Sequence, residues 1–140
     1  MLKDAKFFAL KSMRVVHQRI KKRRQYELLA KLGWKAVTPG FVLLAVEQKK
    51  QKDKFLTDYP RVGFTVTKKI GNAVVRNRLR RRLKALAFSM LNRCGMAGVD
   101  YVIIGRVCGI DRNSLFLARE MEKAFDDVNA HLKKARQNCL

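Results

Sequence analysis

From Tyr59 to Gly98 the chain carries no Asp or Glu, yet residues 61–84 read RVGFTVTKKIGNAVVRNRLRRRLK. A helix through this segment has no internal counter-charge, so a fold that contains it must turn the cations outward and bury an apolar seam beneath them. Such a seam is present. Val75, Leu79, Leu83, Leu86 and Met90 recur at helical spacing, which predicts a helix over about Ala73–Leu91 with Asn72 as its N-cap. At ~100° per residue, Arg76, Arg80 and Lys84 line one flank of the seam, Arg78 and Arg82 line the other, and Asn77 and Arg81 lie on the far side.

The rest of the chain supplies partners for that helix. FVLLAVE from Phe41, after the turn signal Thr38-Pro39-Gly40, is a short apolar run of buried-strand type. In RVGFTVTK, Val62, Phe64 and Val66 alternate with Gly63, Thr65 and Thr67, so a second strand has one apolar and one small polar face. DYVIIGRV provides a third strand, at about Tyr101–Arg106. A first helix is expected at about Arg23–Leu32, stopped by Gly33, and a last one from Ser114 with Leu117, Met121, Phe125, Val128 and Leu132 facing inward. The order is αββαβα, and the strand–helix–strand unit around the basic helix points to an α+β sandwich with an open sheet face. Its 140 residues, 48% of them hydrophobic, suit one domain. Residues 1–19 read as an N-terminal extension that the sequence leaves open to disorder, 20–134 as the folded domain and 135–140 as a tail.

With 32 Lys and Arg against 11 Asp and Glu, the formal charge is +21, which favours a polyanionic partner. No run approaches the ~18 apolar residues of a membrane span, and Lys3, Asp4, Lys6 and Lys11 break up the N-terminal stretch, so neither a secretory signal nor membrane association is expected and the cytoplasm is favoured. Cys94, Cys108 and Cys139 lack disulfide or zinc spacing and read as reduced thiols. His17 and His131 read as solvated helix positions. No paired carboxylates near a histidine, metal-ligand cluster or Ser/His/Asp arrangement offers acid–base chemistry, so no catalytic residue is assigned.

Three features set the basic helix apart from a merely solvated one. Lys68 and Lys69 precede a helix N-terminus whose free N–H groups already favour phosphate. Asn77 sits mid-helix among arginines, where it has no capping use. The arginines also occupy several flanks with no carboxylate to pair with. KKIGNAVVRNRLRRRL, with its Arg-Asn-Arg core at Arg76, Asn77 and Arg78, closely resembles the signature of the bacterial ribonuclease P protein subunit. The resemblance extends back to IKKRRQYELLAKLG and TPGFVLLA, and more loosely forward to about Leu132.

That resemblance implies a left-handed βαβ crossover, against the right-handed default, and a division of labour in tRNA 5′ maturation. A catalytic RNA subunit would supply the active site and hold most of the Mg2+, while the protein binds that RNA and the 5′ leader of precursor tRNA, with no obligate protein partner. Lys68, Lys69, Arg76, Asn77, Arg78, Arg80, Arg81 and Arg82 are then assigned to RNA contact. The leader cleft maps to Tyr26, Ala30, Val42, Leu44, Thr65, Thr67 and Lys69. Ala30 and Leu44 stand where family members often carry aromatics, leaving Tyr26 as the stacking residue of that set, at a cost of ~1–3 kcal/mol per stacked base forgone. A ribosomal or other structural RNA-binding protein is the alternative that composition leaves open. A DNA-binding module would want varied side chains for base readout, which the crowded arginines do not leave room for.

Overall fold

The computed structural model describes residue 31 and residues 33–47, 60–96 and 98–138. Four strands form one mixed sheet: β1 (Trp34–Val37), β2 (Phe41–Glu47), β3 (Arg61–Thr65) and β4 (Val99–Gly105), in the order β1-β2-β4-β3. Among the described residues two long helices pack with this sheet, α1 (Ala73–Cys94) and α2 (Ser114–Asn138). β2 runs antiparallel to β1 and β4, whereas β3 is parallel to β4. A parallel pair needs a crossover, and α1 supplies it.

The alternation predicted for β3 carries across the register to β4 and β2 and sorts the sheet into two faces. Phe41, Leu43 and Ala45 of β2, Val62 of β3 and Tyr101 and Ile103 of β4 share one core with Leu79, Leu83 and Ala87 of α1 and with the α2 stripe Leu117, Met121, Phe125, Val128 and Leu132. Both helices therefore cover the same side. On the other face Leu44, Val46 and Val102 form a second buried cluster, flanked by the half-buried Val42 and Ile104, and neither of the two described helices packs on it.

Two further corrections concern the elements themselves. β1 is absent from the expected αββαβα order: WKAV is short, exposed at three of its four positions, and becomes a strand by pairing with residues 42–45 of β2. The intervening turn is held by Thr38, whose Oγ1 donates to Phe41 O (2.7 Å) and accepts from Phe41 N (3.1 Å). β3 stops at Thr65, and the chain enters a short 3-10 turn at Lys68–Ile70. The expected first helix lies outside the described residues apart from Lys31, as do Tyr26, Ala30 and residues 1–19.

Several polar groups inside the fold are paired with one another. Tyr101, fully buried against Phe125, donates its hydroxyl to Asn129 Oδ1 (2.6 Å) and accepts from Met96 N (3.1 Å). Asn129 Nδ2 in turn donates to Cys94 O (2.7 Å), so the end of α1, β4 and α2 meet at one lock. Burial pushes the Tyr101 phenol up to about 12. Across the β3–β4 register, Arg61 donates from Nε and Nη2 to the two carboxylate oxygens of the buried Asp100 (2.7 and 2.8 Å). Arg136 pairs with Glu47, and His131, read as merely solvated, stacks on Trp34 at 4.7 Å with the rings 8° from parallel. Cys94 and Cys108 are free thiols.

Candidate nucleic-acid interface

Asn72 starts α1 as predicted: its Oδ1 accepts from Val75 N (3.0 Å), and its carbonyl accepts from Arg76 N (3.0 Å). The cap fixes the helix phase, and with Leu79, Leu83 and Met90 buried the cations must take the remaining surface. Asn77, Arg78 and Arg81 are exposed, while Arg76 and Arg80 are half-buried. Lys68 and Lys69 are exposed in the 3-10 turn immediately ahead of the cap, so they extend the positive surface past the helix N-terminus.

Not every predicted contact residue is equally available. Arg80 Nη1 donates to Asn77 Oδ1 (2.9 Å), which holds the two side chains together on the helix surface. Arg76 carries a buried Nε without a hydrogen bond. Arg82 is engaged within the fold: Nη1 donates to Gly109 O (2.9 Å) and Ile110 O (2.6 Å), and Nη2 donates to Arg112 O and Ser114 Oγ. Its acceptors lie on the loop between β4 and α2, far along the chain, and nothing in the local pattern RLRRRL distinguishes it from Arg78 or Arg81. Among the described residues, none of Arg76, Arg78, Arg80 and Arg81 has a carboxylate partner.

The predicted leader residues divide between the sheet and the turn after it. Val42, Ile104 and Thr65 are register partners across β2, β4 and β3, and Leu44, Val102 and Gly63 form the next row, all on the face away from the helices. Val42 and Thr65 are half-buried there, whereas Leu44 is 2% exposed. Thr67 and Lys69 are exposed beyond the end of β3. Sequence reading overlooked Arg106, whose Nη1 donates to Thr38 O (3.0 Å), tying the end of β4 to the β1–β2 turn.

Among the described residues there is no group of three or more His, Cys, Asp or Glu able to hold a metal, and no helix long and apolar enough to cross a membrane.

Comparison with known proteins agrees with this geometry. The chain is 41% identical over 118 residues to a ribonuclease P protein component from Erythrobacter litoralis, spanning 84% of this chain and 85% of that protein. It is 38% identical over 112 residues to the one from Paramagnetospirillum magneticum, covering 80% and 83%. Among solved structures, the RNase P protein from Thermotoga maritima superposes with a TM-score of 0.64 at 23% identity, covering 80% of this chain and 98% of that one, a likeness of fold. The Staphylococcus aureus RNase P protein gives 0.59 at 27% identity, covering 82% and 94%. The ribonuclease P family model matches residues 16–129, and with these relatives it establishes that the chain belongs to the ribonuclease P protein family.

Proposed function

We propose that this protein is the protein subunit of ribonuclease P, binding a catalytic RNA subunit through α1 and Lys68–Lys69 and the 5′ leader of precursor tRNA through the sheet face that carries Val42 and Thr65. The RNA subunit performs the endonucleolytic cleavage and holds most of the Mg2+; the described part of the protein offers no carboxylate or histidine cluster that would hold the ion itself. The protein raises the affinity of the holoenzyme for leader-bearing substrate in the cytoplasm. The observation that carries this reading is the α1 surface. Exposed Arg78 and Arg81, with no carboxylate partner among the described residues, sit on a capped helix beside two exposed lysines, and a chain of formal charge +21 needs phosphates to neutralise them.

Leader release from a precursor tRNA tests it. The purified protein alone is expected to be inactive, and to restore correctly placed cleavage by its cognate RNA subunit at low Mg2+. Robust, correctly placed cleavage by the protein without RNA would overturn the division of labour.

A further inference from the structure

Three large apolar side chains stand exposed around the loop that Arg82 grips: Val107, Leu115 and Phe116, at 59%, 70% and 52%. The phase of α2 explains why the last two cannot turn inward. Its buried stripe begins at Leu117, so Phe116 and Leu115 lie about 100° and 200° around the helix from it. The turn that carries them is nonetheless firmly built. Asn113 Oδ1 accepts from Leu115 N (2.8 Å), and Arg112 places its guanidinium 5.7 Å from the Phe116 ring centroid while pairing with Glu120. From the other side Arg82 of α1 donates to the carbonyls of Gly109, Ile110 and Arg112 and to Ser114 Oγ. A planar guanidinium can serve several acceptors at once, which an ammonium cannot do in the same geometry.

We infer that the first turn of α2 is a second contact for the catalytic RNA subunit, with an unpaired base stacking on Phe116 beside Leu115, and that Arg82 is the positioning residue that fixes this turn against the arginine helix. The inference rests on the reading of the protein as a ribonuclease P subunit. Charge and continuity select the occupant. Arg112 supplies a cation over the ring, Arg119 is exposed three residues further along α2, and the strongly basic chain draws RNA to an apolar platform near them. The RNA subunit is favoured over the leader because α1 and α2 cover one face of the sheet while Val42 and Thr65 lie on the other.

The test measures binding of the full-length protein to its cognate RNA subunit over a range of salt, with thermal melts of each variant. Phe116→Ala is expected to weaken binding about 5- to 150-fold, the range of one lost base stack, with the salt slope unchanged because no phosphate contact is removed. Arg82→Lys keeps the charge but loses the fork, so it should weaken binding as Arg82→Ala does, at a temperature where both remain folded and with slopes equal to wild type. Wild-type affinity in Phe116→Ala overturns the second contact. Rescue by Arg82→Lys, together with a slope flattened by about one contact in Arg82→Ala, overturns the positioning role and makes Arg82 a phosphate ligand. If Phe116→Ala keeps its RNA affinity but abolishes a concentration-dependent self-association of the wild type, the patch is a protein contact and the inference fails. Failure of the wild type itself to bind the RNA subunit would instead remove the underlying subunit reading.

Discussion

Asn77 Oδ1 accepts a hydrogen bond from Arg80 Nη1 at 2.9 Å, so the amide at the centre of the Arg-Asn-Arg core holds a neighbouring guanidinium one turn along the helix. The carbonyl end of Asn77 is occupied and its Nδ2 remains free to donate outward. Asn77→Ala and Arg80→Ala should each weaken binding to the RNA subunit, and the double variant should lose less than the sum, with a coupling of about 0.5–3 kcal/mol. Asn77 is exposed, so its substitution should move stability by no more than roughly 0.5 kcal/mol. Strictly additive losses in affinity would mean that the two side chains act separately.

Arg78 and Arg81 are exposed and lack a carboxylate partner among the described residues, so they are the clearest phosphate ligands on α1. Each alanine substitution should flatten the log–log dependence of RNA affinity on salt by about 0.7–0.9, the counterions released by one phosphate contact. Arg76→Ala should do the same through the part of its guanidinium that is not buried. Unchanged slopes in all three would leave the arginine face as ordinary solvated surface.

The lock around Tyr101 predicts a stability effect with a distinct pH signature. Tyr101→Phe leaves Met96 N–H and Asn129 Oδ1 without their partner, at a cost of about 1–3 kcal/mol. The phenol is neutral in the fold until about pH 12, whereas in an unfolded chain it ionises near its ordinary value of 10.0. Between those values the unfolded state has lost a proton that the folded state keeps, so stability is fully present below pH 10.0 and falls as pH rises towards 12. Denaturant unfolding from pH 9 to 11.5 should show this decline in the wild type, and Tyr101→Phe should lack the part due to the phenol. Parallel pH curves for the two proteins would count against the raised value.

What the sequence disclosed follows the range of each interaction. α1 was legible because its cap, its apolar seam and its acid-free cation pattern all lie within residues 72–91, and the inward stripe of α2 was legible for the same reason. β1 was not, because WKAV has no alternation of its own and is defined by hydrogen bonds to β2. The engagement of Arg82 escaped because its acceptors, chiefly backbone carbonyls, lie 27 to 32 residues away, a property of the packed loop rather than of any local pattern. Leu44 entered the leader cleft through the family resemblance, since the continuous apolar run FVLLAVE assigns it no face, and its depth depends on what surrounds the sheet, which strand periodicity does not encode.

The sheet face that carries Val42 and Thr65 yields the prediction that separates leader binding from general RNA binding. Thr65 shares a register row with Ile104 and Val42, and its hydroxyl stands on the side away from both helices, half-buried at the edge strand β3. Thr65→Val preserves shape while removing one hydrogen-bonding group, which typically contributes about 0.5–1.5 kcal/mol. It should weaken holoenzyme binding to leader-bearing precursor by that amount and leave binding to mature tRNA unchanged. Tyr26→Ala should act in the same direction and more strongly, by the ~1–3 kcal/mol of a lost stack. Phe64→Ala is the contrast from the adjacent position. Its ring points to the other face, edge-on to Phe88 at 6.1 Å with Lys84 Nζ 5.9 Å above it, so its loss should lower the melting temperature and impair both ligands together. The cost should sit near the lower end of the ~3–5 kcal/mol range for an aromatic core deletion, because the ring is only half-buried. Equal losses for precursor and mature tRNA in Thr65→Val, at an unchanged melting temperature, would move the leader off this face.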